Sequence, residues 1–199
     1  MNDAYRKLPD TTLPEGTPVY QLDRVVRGTL QLGNPAVDVM TDLKQVKAIT
    51  VSNQLTIDEA LQRMVSAGVR LLLVMDSDNA TMGVITARDI NGEKPVIYAS
   101  KEQVSRDQMR VSNIMTPREK IEVLQMSDVE KARVGDIVTT LRDAGRQHAL
   151  VIEDDANGNP IVRGIFSITL IGRMLGLDIQ PTGVVQSFAE LESVLIGSS

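Results

Sequence analysis

The chain contains one segment twice, and that repetition limits its fold more than any other feature. Met40-Thr41 returns as Met115-Thr116, and Ala67-Gly68 ahead of LLLV (71–74) returns as Ala144-Gly145 ahead of ALV (149–151). Gly83 at the head of GVITARDI (83–90) returns as Gly164 at the head of GIFSITLI (164–171). The spacing between copies grows from 75 to 77 to 81 residues, so the second copy carries small insertions. The last insertion falls in DDANGNP (154–160), a cluster of turn residues where added length costs little. A unit of about 60 residues has too little surface to bury alone, so the two copies are expected to pack on each other.

Each copy has a legible coarse structure. In the first, KAITV (47–51) suits a short strand. Thr56 and Glu59 form a Thr-x-x-Glu capping box, in which two side chains satisfy free amides at a helix start. Ile57, Ala60, Leu61, Met64 and Val65 then follow at helical spacing, and Gly68 ends the helix. VRLLLVM (69–75) reads as a buried strand, DSDNA (76–80) as a turn and MGVIT (82–86) as the next strand. Thr86 caps a second helix from Ala87. The second copy follows the same order: KIEVL (120–124), a helix over about 133–144, HALVIE (148–153), IVRGIFS (161–167) and a helix to about 177. The pattern predicts an α+β fold of two β-α-β-β-α repeats. Residues 1–35 read as an N-terminal arm, 36–111 as the first repeat with its linker, 112–177 as the second repeat and 178–199 as a tail. Within that tail, SFAELESVL (187–195) fits a short amphipathic helix.

Charge and composition narrow the chemistry. A formal charge of −5 and the lack of a dense Lys/Arg run argue against nucleic acid, whose phosphates need a basic face. With no cysteine there is neither disulfide nor thiolate chemistry, which fits a reducing compartment. MNDAYRKLPD has no apolar stretch behind its charges, and no apolar run approaches the roughly 18–20 residues of a membrane helix. A cytoplasmic protein without a membrane partner is expected. Aromatics are 3% of the chain, so the nine Met residues are read as core filler beside the aliphatics.

NIMTP (113–117) opening a unit, Ala-Gly before an apolar strand, and Gly-h-h-Thr-x-x-Asp after a second strand together resemble the tandem cystathionine-β-synthase (CBS) domain pair. The resemblance covers roughly residues 36–177. It implies two repeats packed through their sheets as one pseudo-two-fold disc, with two clefts between them. It further implies clefts that take adenosine compounds such as AMP, ADP, ATP or S-adenosylmethionine, as regulatory ligands and not as required cofactors. The family's modules regulate other proteins, are not themselves enzymes and often form homodimers. The segments flanking the repeats are too short for a catalytic domain, so a stand-alone module with a separate protein target is expected.

The octet GVITARDI admits two readings. A carboxylate can accept hydrogen bonds from both hydroxyls of a ribose, and a hydroxyl at a helix start, beside free amides, suits a phosphate. Thr86 and Asp89 lie one turn apart and can face one cleft, with Arg88 near enough to add charge. By the resemblance, Thr86 would serve the phosphate and Asp89 the ribose, with the adenine lying along Ile49, Thr50 and Ser52. The same Thr and Asp also make an ordinary helix N-terminus. In GIFSITLI, Ser167 keeps the hydroxyl but Leu170 replaces the acid, which deletes a charge-assisted bond worth about 1.5–3 kcal/mol. One competent cleft is therefore expected, not two.

Other candidates are weaker. His148, the only histidine, has no accompanying set of acids or ligands and reads as a structural or cleft-lining residue. EDDANGN (153–159) fails the spacing of a calcium loop and reads as a polar turn. No Walker loop, GxSxG elbow or dinucleotide fingerprint occurs, so neither a metal centre nor catalytic residues are expected. A nucleotide sensor is the leading reading. A protein-interaction adaptor that binds no nucleotide is the alternative.

Overall fold

The first copy supplies β1 (Thr41–Asp42), β2 (Thr50–Ser52), α1 (Ile57–Ala67), β3 (Leu71–Met75), β4 (Thr81–Thr86) and α2 (Ala87–Asn91). A linking helix, α3 (Lys94–Glu102), leads to the second copy. That copy comprises α4 (Val111–Ile114), β5 (Thr116–Pro117), β6 (Val123–Gln125), α5 (Met126–Val129), α6 (Val134–Asp143), β7 (His148–Asp154), β8 (Pro160–Ser167) and α7 (Ile168–Met174). This computed structural model describes residues 30–176 apart from 79, together with Pro14. Most of the expected arm, and the expected helix at 187–195, lie outside the described residues.

The β-α-β-β-α order holds in both copies, and the mixed α+β class with it. Helix α1 starts with the Thr56–Glu59 capping box and ends at Gly68, whose φ of 65° is the left-handed conformation glycine adopts without penalty. The first strand, expected at 47–51, forms at Thr50–Ser52, and its counterpart, expected at 120–124, forms at Val123–Gln125 behind a 3-10 turn. Helix α3 was not legible because its apolar residues Val96 and Ile97 are exposed, at 71% and 61%, so no core-facing stripe announces it. Pro95 at its first turn suits a helix start.

Two four-stranded sheets result, in the orders β2-β3-β4-β5 and β1-β8-β7-β6. Each is built from three strands of one copy and a two-residue strand from the other. The repeated Met-Thr thus marks a crossing: Thr116 pairs with Val84 and Pro117 with Gly83, while Thr41 pairs with Ile165 and Asp42 with Gly164. The repeated glycine is what lets the crossing strand approach. A Cβ on Gly83 would lie 2.3 Å from the Thr116 carbonyl oxygen, and one on Gly164 would lie 2.4 Å from Met40 Sδ.

The apolar run of β3 is buried on both faces, which explains why it does not alternate with polar residues. Leu72 and Val74 pack with Ile57, Met64 and Ile85 under the helices of the first copy. Leu71 and Leu73 point the other way and meet Val84 and Leu150 in a layer between the sheets. A matching helix-side core around Val138, Leu141, Val151 and Phe166 fills the second copy. The crossing strand β1 is held by Arg163, whose guanidinium grips both oxygens of Asp42 (Nη2 to Oδ2, 3.0 Å) and places Nε 3.1 Å from Glu153. No described helix is long and apolar enough to cross a membrane.

Candidate functional site

The turn from β4 into α2 sets the first half of the site. Thr86 is extended and caps α2, with its Oγ1 accepting from the Asp89 amide at 3.2 Å. Asp89 reciprocates: its Oδ2 accepts from Thr86 N at 2.8 Å and from Thr86 Oγ1 at 2.7 Å. The other oxygen, Oδ1, lies 2.6 Å from Lys94 Nζ at the start of α3. That ammonium also donates to the Ile114 carbonyl at 3.2 Å and to Thr116 Oγ1 at 3.3 Å. Asp89 therefore closes a capping box and also ties the linking helix to the crossing strand. With three of a carboxylate's roughly four lone-pair positions filled, one remains open.

The second half of the site comes from the other copy. A cavity of about 230 Å³ lies beside Asp89, with Leu71, Val84, Thr86 and Arg88 on one wall. Thr116, Lys120, Ile121, Arg146, Gln147, His148 and Leu150 form the facing wall. Gly145, with φ of 63°, turns the chain out of α6 and delivers Arg146 and Gln147 to the cavity, and Gly68, with φ of 65°, makes the same turn out of α1. Three cations (Arg88, Lys120 and Arg146) line the cavity against two carboxylates (Asp89 and Glu122). Both acids are already engaged, Asp89 by Lys94 and Glu122 by Arg146 at 2.5 Å. Glu122 is 80% exposed, so its pair with Arg146 is weak and readily exchanged. His148 is held neutral, its pKa pushed down to about 4 by burial and the charge of Arg70, against the opposing pull of Asp89. A neutral imidazole offers one donor and one acceptor.

Comparison with known proteins identifies the scaffold. The CBS domain family matches residues 36–93. That stretch of the chain is a CBS domain. An uncharacterized conserved protein from Pyrococcus horikoshii has the same fold, at 18% identity and a TM-score of 0.53, over 77% of this chain and all of that one. CBSX2 of Arabidopsis thaliana, solved in complex with AMP, aligns at 22% identity and a TM-score of 0.47, covering 71% of this chain and 95% of that chain. An uncharacterized protein of Methanopyrus kandleri is 28% identical over 85 residues, which span 43% of each chain.

Between the two copies the structure gathers Thr86, Arg88 and Asp89 at one cavity. Ile49, Thr50 and Ser52 are not among its lining residues: Ile49 packs against the helix-side core of the first copy, and Thr50 and Ser52 pair with Leu73 and Met75. The apolar walls of the cavity are instead Leu71, Val84, Ile121 and Leu150. Ser167 caps α7 without a side-chain cap bond and sits opposite His148 across the strand pair. Leu170 holds the place of Asp89 on α7, and the pKa of Arg70 is lowered by burial, with the charge of Arg173 adding to the effect. Sequence reasoning missed Lys120, Arg146, Gln147 and Lys94. The repeated Ala-Gly could have pointed to Arg146 and Gln147, since it marks the chain reversal ahead of them, and the repeated Met-Thr to Lys120, which follows the crossing strand.

Proposed function

We propose that this protein is a cytoplasmic regulatory module in which an adenosine phosphate (AMP, ADP or ATP) occupies the cleft at Asp89. The observation that carries this reading is the surplus of positive charge facing an apolar-walled cavity between the repeats. Arg88, Lys120 and Arg146 are placed to receive phosphate, because the Thr86 hydroxyl proton is spent on Asp89. Asp89 offers its one open position to a ribose hydroxyl, and neutral His148 and Gln147 serve the remaining polar groups. S-adenosylmethionine fits less well, since its sulfonium meets the same cations. The module acts on a protein target as a homodimer, and the ligand shifts its shape only by binding one shape more tightly than another. It performs no catalysis.

One observation favours the adaptor reading. The Thr86–Asp89–Lys94 cluster is almost saturated by its own hydrogen bonds, so the fold needs no ligand to satisfy it. A thermal-shift and calorimetric panel of AMP, ADP, ATP, S-adenosylmethionine and a cyclic dinucleotide separates the two. A ligand at 100 times its dissociation constant stabilises by about 2.7 kcal/mol. One site per chain is expected, lost in Arg146→Ala and weakened in Asp89→Ala. A flat response to all five compounds establishes the adaptor.

A further inference from the structure

We propose that a second groove, against the linking helix, is a separate anion site that takes a di- or triphosphate group. Lys94, Ile97, Tyr98 and Lys101 recur at i, i+3, i+4 and i+7 on α3 and so share one face. That face looks onto Asn113–Pro117 and Lys120 across a groove of about 430 Å³. Three of the chain's seven lysines converge there and no carboxylate lines it, in a protein whose net charge is −5. This concentration of one sign is what a polyanion seeks.

The cations differ in readiness. Lys94 spends its three donors on Asp89, Ile114 and Thr116, so it closes the inner end of the groove and leaves Lys101 and Lys120 as the cations open to an anion. Lys120 has no ion pair among the described residues, and Lys101 has only a loose one with Glu102 at 3.5 Å. Asn113 spends its Oδ1 on the Arg110 amide at 2.7 Å, which leaves its NH2 donors for the groove. Tyr98 and Ile97 give an apolar floor between the lysines. Thr116 and Lys120 line both this groove and the cleft at Asp89, so the two spaces share a wall. The polyphosphate can therefore be a free ion or the tail of a nucleotide whose base lies in the cleft.

The test uses tripolyphosphate, ATP and AMP as separate probes, titrated calorimetrically at low salt against the full chain, Lys101→Glu and Arg88→Ala. Lys101 lines only the groove and Arg88 only the cleft. Tripolyphosphate is expected to bind and to weaken by about tenfold in Lys101→Glu, since reversing the charge replaces attraction by repulsion. It should be unaffected by Arg88→Ala. If ATP weakens in Lys101→Glu while AMP does not, the source is a nucleotide tail. If ATP is unchanged while tripolyphosphate weakens, the source is the free ion. Absence of tripolyphosphate binding, or equal affinity in Lys101→Glu, overturns the proposal. Because tripolyphosphate needs no nucleoside pocket, that outcome is independent of whether AMP binds the cleft.

Discussion

The two strand-to-helix junctions, GVITARDI and GIFSITLI, carry the same backbone and close it differently. At the first, Thr86 and Asp89 lock the start of α2 with three mutual hydrogen bonds, and Lys94 fastens the result to the linker. At the second, Ser167 makes no cap bond and Leu170 has no polar atom to offer. The helix forms in both, so the acid is not what the fold requires. The shared requirement is the glycine, which admits the strand crossing from the other copy. The strand crossing and the polar closure of the helix start are thus carried by different residues of one motif.

The largest expected effect tests that shared glycine. In Gly83→Ala the new methyl meets a backbone carbonyl in the crossing strand, which cannot move without breaking its pairing. In Gly164→Ala the obstacle is the flexible side chain of Met40. Urea unfolding should show a loss of about 3 kcal/mol for the first and about 1 kcal/mol for the second. Met40→Ala in the Gly164→Ala background should recover part of the smaller loss. Equal losses at the two glycines would break the comparison.

A second difference is titratable. His148 stands where the first copy has Leu71, each opposite a junction hydroxyl, Ser167 or Thr86. Its folded pKa of about 4 lies below the unfolded value near 6.5, so the unfolded chain binds the proton first as the pH falls. The stability that His148 permits is complete above pH 6.5, declines toward pH 4 and falls no further below it. Allowing for partial exposure, the decline should be about 2 kcal/mol and should be absent in His148→Leu. A wild-type urea midpoint that stays level from pH 7 to 4.5 contradicts this account of the second copy.

The caps themselves differ by a smaller amount. Thr86→Ala removes a working N-cap and should cost about 1 kcal/mol, whereas Ser167→Ala should stay within about 0.5 kcal/mol. Chemical denaturation of the two single variants decides it. A sizeable loss at Ser167 would mean that α7 depends on a bond not seen at its start.

Why some of this was legible and some was not follows from the range of each cause. Capping boxes, the Gly68 reversal and the period of α1 are local, so Thr56, Glu59 and Gly68 announced themselves. The crossing of β1 and β5 into the opposite sheets is not local, and only the repeated Met-Thr and Gly hinted at it. For the same reason the site was half legible. Thr86, Arg88 and Asp89 come from one octet, while Lys120 and Arg146 reach the cavity through packing between copies. Ile49, Thr50 and Ser52 lie outside the lining of that cavity, Ile49 against the first copy's core and Thr50 and Ser52 paired with Leu73 and Met75.

The smallest expected difference lies in the crossing strands. Asp42 and Pro117 hold equivalent positions, opposite Gly164 and Gly83, but only Asp42 is ionic. The Arg163 guanidinium holds the Asp42 carboxyl below its ordinary range, with a backbone bond from Lys44 assisting. A depressed carboxyl stabilises the fold above its unfolded pKa and loses that contribution as the pH drops through the folded value. Wild type should therefore exceed Asp42→Asn in thermal midpoint at pH 7, and the gap should narrow steadily below pH 4. A gap that is constant from pH 7 to 2.5 would mean that shape, not charge, holds β1 in place. The two crossings would then be equivalent after all.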